Sequence, residues 1–240
     1  MENLITLNQH RWGICKVLSD KGPAFKQVAD RLTAPAAVVR YKAVEKKTKV
    51  PWWFIAVVHE REASQNWNSN IAQGDPWNKK SVHVPANRGP FKSWEDAAYD
   101  ALVNCPPYAA RNTDWSPGGA LTMLEKYNGL GYYRKGLPSP YVWAGTDQYT
   151  SGKYTSDGVY NASVVDTQLG VAGLLKFMGV FKTGTGTSAG AAGAVILAGG
   201  AAVAATPQHY WPWIIGGTIA VALIAFIGFE VYEFNKKVII

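Results

Sequence analysis

Apolar residues recur at helical spacing through most of the first three quarters of this 240-residue chain. Prolines, glycines and polar capping residues, the usual start and stop signals of helices, bound these segments. The pattern predicts a helix that begins at Pro51 and further helices over 5–18, 24–32, 36–49, 93–104, 118–127 and 166–178.

Two long segments lack this period. Residues 68–91 are rich in Gly and Pro, and the alternation at 82–84 fits a short strand. Residues 132–160 are dense in Tyr, Trp, Gly and Pro. The expected fold class is therefore mainly α, with a small β element and long aromatic loops. Loops of this length in a compact domain usually have a function.

The helix that begins at Pro51 carries the first candidate chemistry. Its apolar body, 52–58, ends in a charged stretch that includes Glu60 and Glu62. Apolar neighbours and the negative end of the helix dipole both disfavour an ionised carboxylate, so they raise its pKa. A general acid that works near neutral pH needs such a pKa. The same pattern also fits a buried helix with a charged exit.

The character of the chain changes after position 182. Residues 183–190 are rich in Gly, Thr and Ser and predict a flexible linker. The 19 residues 211–229 contain no charge and are flanked by aromatics and lysines, which predicts a transmembrane helix. The Ala/Gly-rich stretch 189–205 fits a weaker second span or a low-complexity linker. We therefore expect a folded domain over 1–182 and a membrane region over 191–240.

Charge narrows the class of partner. The chain carries 24 basic and 17 acidic residues, for a net charge of +7. The charges beyond position 182 cancel, so the whole excess belongs to the predicted domain. Such a domain attracts polyanions: nucleic acid, anionic lipid or bacterial cell wall. Nucleic acid is not expected as a partner, because the sequence lacks a zinc knuckle, an RNP-like motif and a basic recognition helix.

Cysteine and histidine usage argues against a disulfide framework and against a metal. Cys15 and Cys105 predict reduced, buried thiols, and the four His residues show no metal-ligand spacing. We expect no cofactor. The stretch 1–17 lacks a basic cap followed by an apolar core, so no cleaved secretory leader is expected.

Several short motifs, in this order, resemble the lysozyme-family endolysins of phages and prophages, within the lysozyme-like superfamily. The resemblance covers roughly residues 40–178 and lies in His59-x-Arg61-Glu62-x-Ser64, Gly74-Asp75-Pro76, Val82-His83-Val84-Pro85, Ser93-Trp94-Glu95-x-x-Ala98-x-x-Ala101-Leu102, Tyr127-Asn128-Gly129-x-Gly131-Tyr132, Ser139-Pro140-Tyr141-x-Trp143, Gly145-Thr146 and Gly152-Lys153-Tyr154-x-x-Asp157-Gly158.

This resemblance implies a lysozyme-like α+β fold that cleaves the β-1,4 bond between N-acetylmuramic acid and N-acetylglucosamine in peptidoglycan. The matching general acid is Glu62. Glu60 stands two positions away on the same helix and so points to a different side. Tyr127-Asn128-Gly129 is similar to the Tyr-Asn-Ala-Gly of goose-type lysozymes and lytic transglycosylases, where these residues line the floor of the sugar site.

Asp75 and Ser81 loosely match the Asp and Thr that follow the Glu in phage T4-type lysozymes. If Asp75 faces Glu62 across a gap of roughly 6.5–9.5 Å, it can orient a water and invert the anomeric centre. Without a second carboxylate, a transglycosylase that forms the anhydro-sugar is favoured. Asp75 also fits a residue that caps its own turn before Pro76.

The aromatic loops suit sugar binding, since rings pack on the CH-rich faces of sugars; they equally fit loops packed by their own rings. His83 is expected to be a hydrogen-bonded structural residue rather than a catalyst, and His59 and Arg61 are expected to brace Glu62. The predicted substrate contacts are Trp67, His83, Tyr127, Asn128, Tyr132, Tyr141 and Trp143.

The expected partners are bacterial peptidoglycan, the host inner membrane through 211–229, and a holin. The enzyme would be stored at the inner membrane and would act on periplasmic peptidoglycan at lysis. Three alternatives stay open: a lytic transglycosylase, a wall-binding protein that does not cut, and a holin-like membrane protein.

Overall fold

A computed structural model describes residues 3–156 and 158–181 of the chain. This part is mainly helical, as predicted, with one small antiparallel hairpin. The helices are α1 Leu4–Ile14, α2 Gly22–Leu32, α3 Pro35–Thr48, α4 Trp52–Ala63, α5 Trp94–Val103, α6 Pro117–Tyr127, α7 Gly131–Arg134, α8 Pro140–Trp143 and α9 Val171–Phe177; the strands are β1 Lys153–Ser156 and β2 Val159–Asn161; and short 3₁₀ turns cover Ser19–Lys21 and Ala109–Arg111.

Helix α4 runs through the middle of the hydrophobic core. Every side chain from Phe54 to His59 is buried, so the helix is covered on all sides, as its continuous apolar run predicts. Helices α2, α3 and α9 pack against it. The helix ends at Ala63, and the next residue, Ser64, adopts a left-handed conformation with φ 49°. Burial therefore fixes the body of α4 and leaves its last turn at the edge of the core.

The N-terminal helix α1, which the family resemblance does not cover, packs closely on α6. A Cβ built on Gly118 would lie 2.6 Å from the carbonyl oxygen of Ile5, closer than any real contact. The Gln9 side chain accepts a hydrogen bond of 2.9 Å from the Gly118 N–H, one of the donors that a helix start leaves unpaired. The two helices thus meet backbone to backbone where Gly118 lacks a side chain.

Most predicted helices are confirmed to within a few residues, but the last one is shorter than predicted. It begins at Val171 rather than 166, because the preceding backbone is held in other contacts. The Asp166 N–H donates to the Tyr149 hydroxyl at 2.9 Å, and the Asp166 carboxylate accepts from the Gln168 N–H at 3.1 Å. These bonds compete with the first helical turn.

The predicted strand at 82–84 was wrong. The N–H groups of Val82 and His83 both donate to the side chain of Asp75, and this segment is a bend. The β element instead lies inside the aromatic segment, where β1 pairs with β2 with an irregularity between Tyr154 and Ser156.

None of the helices in the described ranges has the length and apolar character needed to cross a membrane. The predicted linker and the candidate spans 189–205 and 211–229 lie outside the described residues.

The contact between α1 and α6 predicts opposite effects for two glycine-to-alanine substitutions. We expect Gly118→Ala to lower the free energy of unfolding by about 1–3 kcal/mol, because the new methyl group overlaps the backbone of Ile5. Gly13→Ala is the matched control, since nothing lies within 4 Å of its Cβ position. It should raise stability by up to about 1 kcal/mol through helix propensity. Urea unfolding of both variants is the measurement, and equal effects would contradict the close packing.

Candidate active site at the end of helix α4

Glu62 and Glu60 leave the last turn of α4 in different directions, as their spacing predicts. Glu60 forms an ion pair with Arg31, with 3.3 Å between Oε2 and Nη2. Glu62 points in a different direction. Its Oε1 accepts a hydrogen bond of 2.8 Å from the hydroxyl of Tyr141, at the start of α8. Glu60 is therefore paired with a cation of α2, whereas Glu62 contacts the segment that contains α8.

The surroundings of Glu62 favour a protonated carboxyl. The residue is half-buried, and protein atoms surround its carboxyl group. This desolvation raises the pKa of Glu62 to about 7, against the opposing effects of the Tyr141 hydrogen bond and the positive charge of Arg61. Near pH 7 a large fraction of molecules thus carries a proton that the carboxyl can donate. This is the protonation state that a general acid requires.

Arg61 holds the aromatic partner of Glu62 in place. Its guanidinium carbon lies 4.4 Å from the centre of the Tyr141 ring, a cation–π contact. Its Nη1 donates to the carbonyl oxygen of Leu169 at 3.0 Å, and its Nη2 lies 3.9 Å from Asp166, which also pairs with Lys153 at 3.0 Å. The side chain of Arg61 is only 5% exposed. Tyr141 is thus fixed from one side by Arg61 and from the other by Glu62.

Tyr127, at the end of α6, adds a third group to this cluster. Burial and the nearby charge of Glu62 raise the pKa of its hydroxyl. The hydroxyl oxygen is buried and has no hydrogen-bond partner among the described residues. The next residue, Asn128, donates from Nδ2 to the Ser139 hydroxyl at 3.2 Å and so ties the end of α6 to the start of α8. A buried hydroxyl without a partner beside an acid suits a ligand or a water molecule.

Asp75 serves the loop that contains it. Its Oδ2 accepts from the N–H groups of Val82 and His83, and its Oδ1 accepts from the His83 ring. Burial alone would raise the pKa of Asp75, but these hydrogen bonds lower it overall. Both oxygens are therefore occupied. This is the turn-capping arrangement, and the catalytic role of Asp75 stays a prediction.

Ser81 has a similar position. Its hydroxyl accepts from the Arg88 N–H at 2.8 Å and donates to the carbonyl oxygen of Pro85 at 3.2 Å. The residue is 4% exposed. These bonds close the turn over 81–88, and the catalytic role of Ser81 also stays a prediction.

Three predicted sugar contacts need correction. Tyr141 is 4% exposed, its hydroxyl is bonded to Glu62, and the Arg61 guanidinium lies over its ring. Trp143 is fully buried in the core, so its ring has no face for a sugar. Tyr132 is 3% exposed, packs edge-on against Tyr154, and accepts a hydrogen bond from the Tyr154 N–H at 3.0 Å. These rings pack the aromatic segment itself, which is the alternative that the sequence left open.

Trp67 is partly buried in an aromatic cluster with Tyr41, His59 and Trp94. The guanidinium carbon of Arg40 lies 4.1 Å from the centre of its ring. One face of Trp67 is therefore already occupied by a cation, and its sugar contact stays a prediction.

His59 fixes the exit of α4 through both ring nitrogens. Its Nε2 lies 3.1 Å from the Asn66 carbonyl oxygen, which can only accept, so Nε2 carries the hydrogen. Its Nδ1 then accepts from the Tyr41 hydroxyl at 3.0 Å. Burial lowers the pKa of His59 to about 4. A neutral imidazole thus locks the chain three residues before Glu62.

Sequence reasoning missed Asp166 and Lys153 as parts of this network. Both lie more than 90 positions from Arg61 along the chain, and no local pattern connects them. In the described ranges, no group of three or more His, Cys, Asp or Glu residues is placed to hold a metal ion.

Comparison with protein-family models, curated proteins and solved structures finds no match to this chain. The family suggested by the sequence motifs therefore stays a prediction.

The raised pKa of Glu62 predicts a pH-dependent gain of stability in the variant Glu62→Gln. The unfolded carboxyl titrates near 4.5 and the folded one near 7, so the folded state of the native chain loses stability as the pH rises between these values. At pH 8 we expect the variant to be more stable by up to about 3 kcal/mol, and at pH 4 by little. Urea unfolding at both pH values is the measurement.

Glu95→Gln is the control with the opposite sign. Hydrogen bonding and ion pairing with Arg40 lower the pKa of Glu95 despite its partial burial, so removal of its charge should reduce stability at pH 8. A Glu62→Gln variant that is destabilised at pH 8 would contradict the desolvated carboxyl.

Proposed function

We propose that this chain is a peptidoglycan-degrading endolysin with a lysozyme-like catalytic domain over 1–182. In this proposal Glu62 is the general acid that cleaves the β-1,4 bond between N-acetylmuramic acid and N-acetylglucosamine. The observation that carries the proposal is the Glu62 carboxyl itself, whose pKa is raised to about 7 while the Tyr141 hydroxyl fixes its orientation.

The Glu62 carboxyl meets the requirement of this chemistry, and two further features support it. Glycoside cleavage needs an acid that is protonated near neutral pH and held in one orientation. The buried, unpartnered Tyr127 hydroxyl near Glu62 offers a hydrogen bond to a water molecule beside the acid. The net charge of +7, all of it within the first 182 residues, suits attraction to an anionic cell wall.

A lytic transglycosylase is the second candidate, and the contacts of Asp75 favour it. Both Asp75 oxygens are occupied by its own loop, so this carboxylate is poorly placed to orient a hydrolytic water. Transglycosylation needs one acid only and ends in an anhydro-sugar. Mass spectrometry of the released muropeptides separates the two reactions, because the hydrolytic product is heavier by one water.

The membrane segment 211–229 and the host inner membrane enter the proposal from the sequence alone. The domain would be held at this membrane on the cytoplasmic side and released when a holin opens the membrane. Protease protection of residues 1–180 in spheroplasts tests this arrangement, and digestion of the domain by added protease would contradict it.

Replacement of Glu62 by Gln gives the direct test of the activity. We expect Glu62→Gln to reduce the turbidity loss of purified sacculi by at least about 100-fold, since general acid catalysis contributes this much or more. Binding of the variant to sacculi should be unchanged. The matched control is Glu60→Gln, on the same turn of α4 but paired with Arg31, which should keep its activity.

Full activity in Glu62→Gln would overturn the assignment of the acid. If the native chain binds sacculi and releases nothing from them, the chain is a wall-binding protein instead.

A further inference from the structure

The loop over 81–88 holds a histidine in a defined orientation. The His83 Nδ1 lies 2.7 Å from Oδ1 of Asp75, and the N–H of the same residue donates to Oδ2 at 3.0 Å. The side chain of Asp75 is 8% exposed, whereas that of His83 is 38% exposed. A buried carboxylate thus orients an imidazole whose outer edge reaches the surface.

The protonation pattern of this pair follows from its geometry. The Asp75 carboxylate can only accept hydrogen bonds, so the His83 Nδ1 must carry a hydrogen. In the neutral ring the other nitrogen, Nε2, then has a free lone pair. In the part of the chain that the structure describes, Nε2 has no hydrogen-bond partner. An imidazole oriented in this way by a carboxylate can take a proton from a bound water molecule.

The backbone around His83 is firmly held, yet its apolar neighbours face solvent. The Ser81 hydroxyl bonds to the Arg88 N–H and the Pro85 carbonyl, and the Gln73 side chain donates to the same carbonyl at 3.1 Å. In contrast, Val82 is 76% exposed and Val84 is 39% exposed. The loop is thus held by hydrogen bonds and presents one exposed apolar residue on each side of the histidine.

The segment that carries Asp75 passes the backbone of the last turn of α4. A Cβ placed on Gly74 would lie 3.5 Å from the backbone carbonyl oxygen of Glu62. Consecutive Cα atoms are about 3.8 Å apart, so the Asp75 Cα lies within roughly 9 Å of that oxygen. The segment that holds the Asp75–His83 pair is therefore a neighbour of the backbone of the proposed acid.

We propose that His83, oriented by Asp75, is the base that activates water in the hydrolysis at the Glu62 site. This inference rests on the proposed function. It assigns to an imidazole the task that the Asp75 carboxylate, with both oxygens occupied, is poorly placed to perform. Asp75 then acts as a positioning residue rather than a catalytic one.

The reaction balances in a single displacement. Glu62 donates its proton to the glycosidic oxygen as the bond from that oxygen to C1 breaks, and the leaving sugar departs as an alcohol. The water oxygen forms the new bond to C1 and gives a proton to Nε2 of His83. The cycle leaves a Glu62 carboxylate and an imidazolium, and the proton returns to Glu62 through solvent.

His83→Asn separates this role from a structural one. The Asn amide can still donate to Asp75, as Nδ1 does, but it offers no basic nitrogen. We expect the variant to melt at the temperature of the native protein and to lose hydrolysis by about 100-fold or more. His83→Gln is a second non-basic variant, with the same expected loss, in case the Asn variant does not fold.

Azide provides a readout that a structural role would not change. Azide is already an anion and needs no base, so it should restore bond cleavage in His83→Asn and yield a glycosyl azide. It should not restore cleavage in Glu62→Gln, which lacks the acid. Hydrolysis at the native rate in both His83 variants, or a loss that azide does not restore, would overturn the inference while the proposed function stands.

The products of the native protein distinguish a failure of this inference from a failure of the proposed function. An anhydro-sugar product from the native chain would overturn the role of His83 and leave Glu62 as the acid of a transglycosylase. If the native chain releases no muropeptide at all, the proposed function itself is wrong.

Discussion

The hydrogen bond between Tyr141 and Glu62 is the contact on which the candidate site depends. It joins the exit of the central helix to a residue 79 positions further along the chain, at the start of α8. The carboxyl at this contact is desolvated, and burial outweighs the two nearby groups that favour its ionised form. The packing of α6, α8 and α9 around this end of α4 therefore raises the pKa of one carboxyl group, that of Glu62.

Two residues that precede Glu62 on α4 fix its position. The neutral ring of His59 bonds to Tyr41 and Asn66 and sets where the helix stops. Arg61 packs on the ring of Tyr141 and bonds to the Leu169 carbonyl. A carboxyl kept away from water costs folding free energy above its unfolded pKa. Rigid neighbours are what prevent it from turning outward to solvent.

Local periodicity was enough to predict the longer helices and that Glu60 and Glu62 point to different sides of α4, but not the short helices α7 and α8; the choice of Glu62 came from the family resemblance. The two predictions from periodicity depend on spacing within a few turns, and the burial of Phe54 to His59 follows from a continuous apolar run. The boundaries of elements were less predictable where side chains bond to the backbone. Asp166 does so before α9, and Asp75 does so at 82–83, where a strand was predicted.

Contacts between distant parts of the chain had no local signal. Trp143 and Tyr132 lie in a segment with the aromatic composition of sugar-binding loops. Which of its rings face the core depends on the fold of the whole domain. In the same way, no spacing rule connects Arg61 with Lys153 or Asp166. Tyr127 and Tyr141, which the motifs predict as substrate contacts, lie near Glu62.

A second buried carboxyl shows why a raised pKa alone does not identify an acid catalyst. Burial raises the pKa of Glu125 on α6 to about 7, as it does for Glu62. However, Glu125 is 1% exposed, and its carboxyl bonds to Asn8 inside the contact between α1 and α6. No substrate can reach it without separation of the two helices. Glu62 differs because it stands at the exit of a helix, its residue is only half-buried, and the segment that carries Asp75 passes its backbone. Position in the fold, and not protonation alone, is what favours Glu62.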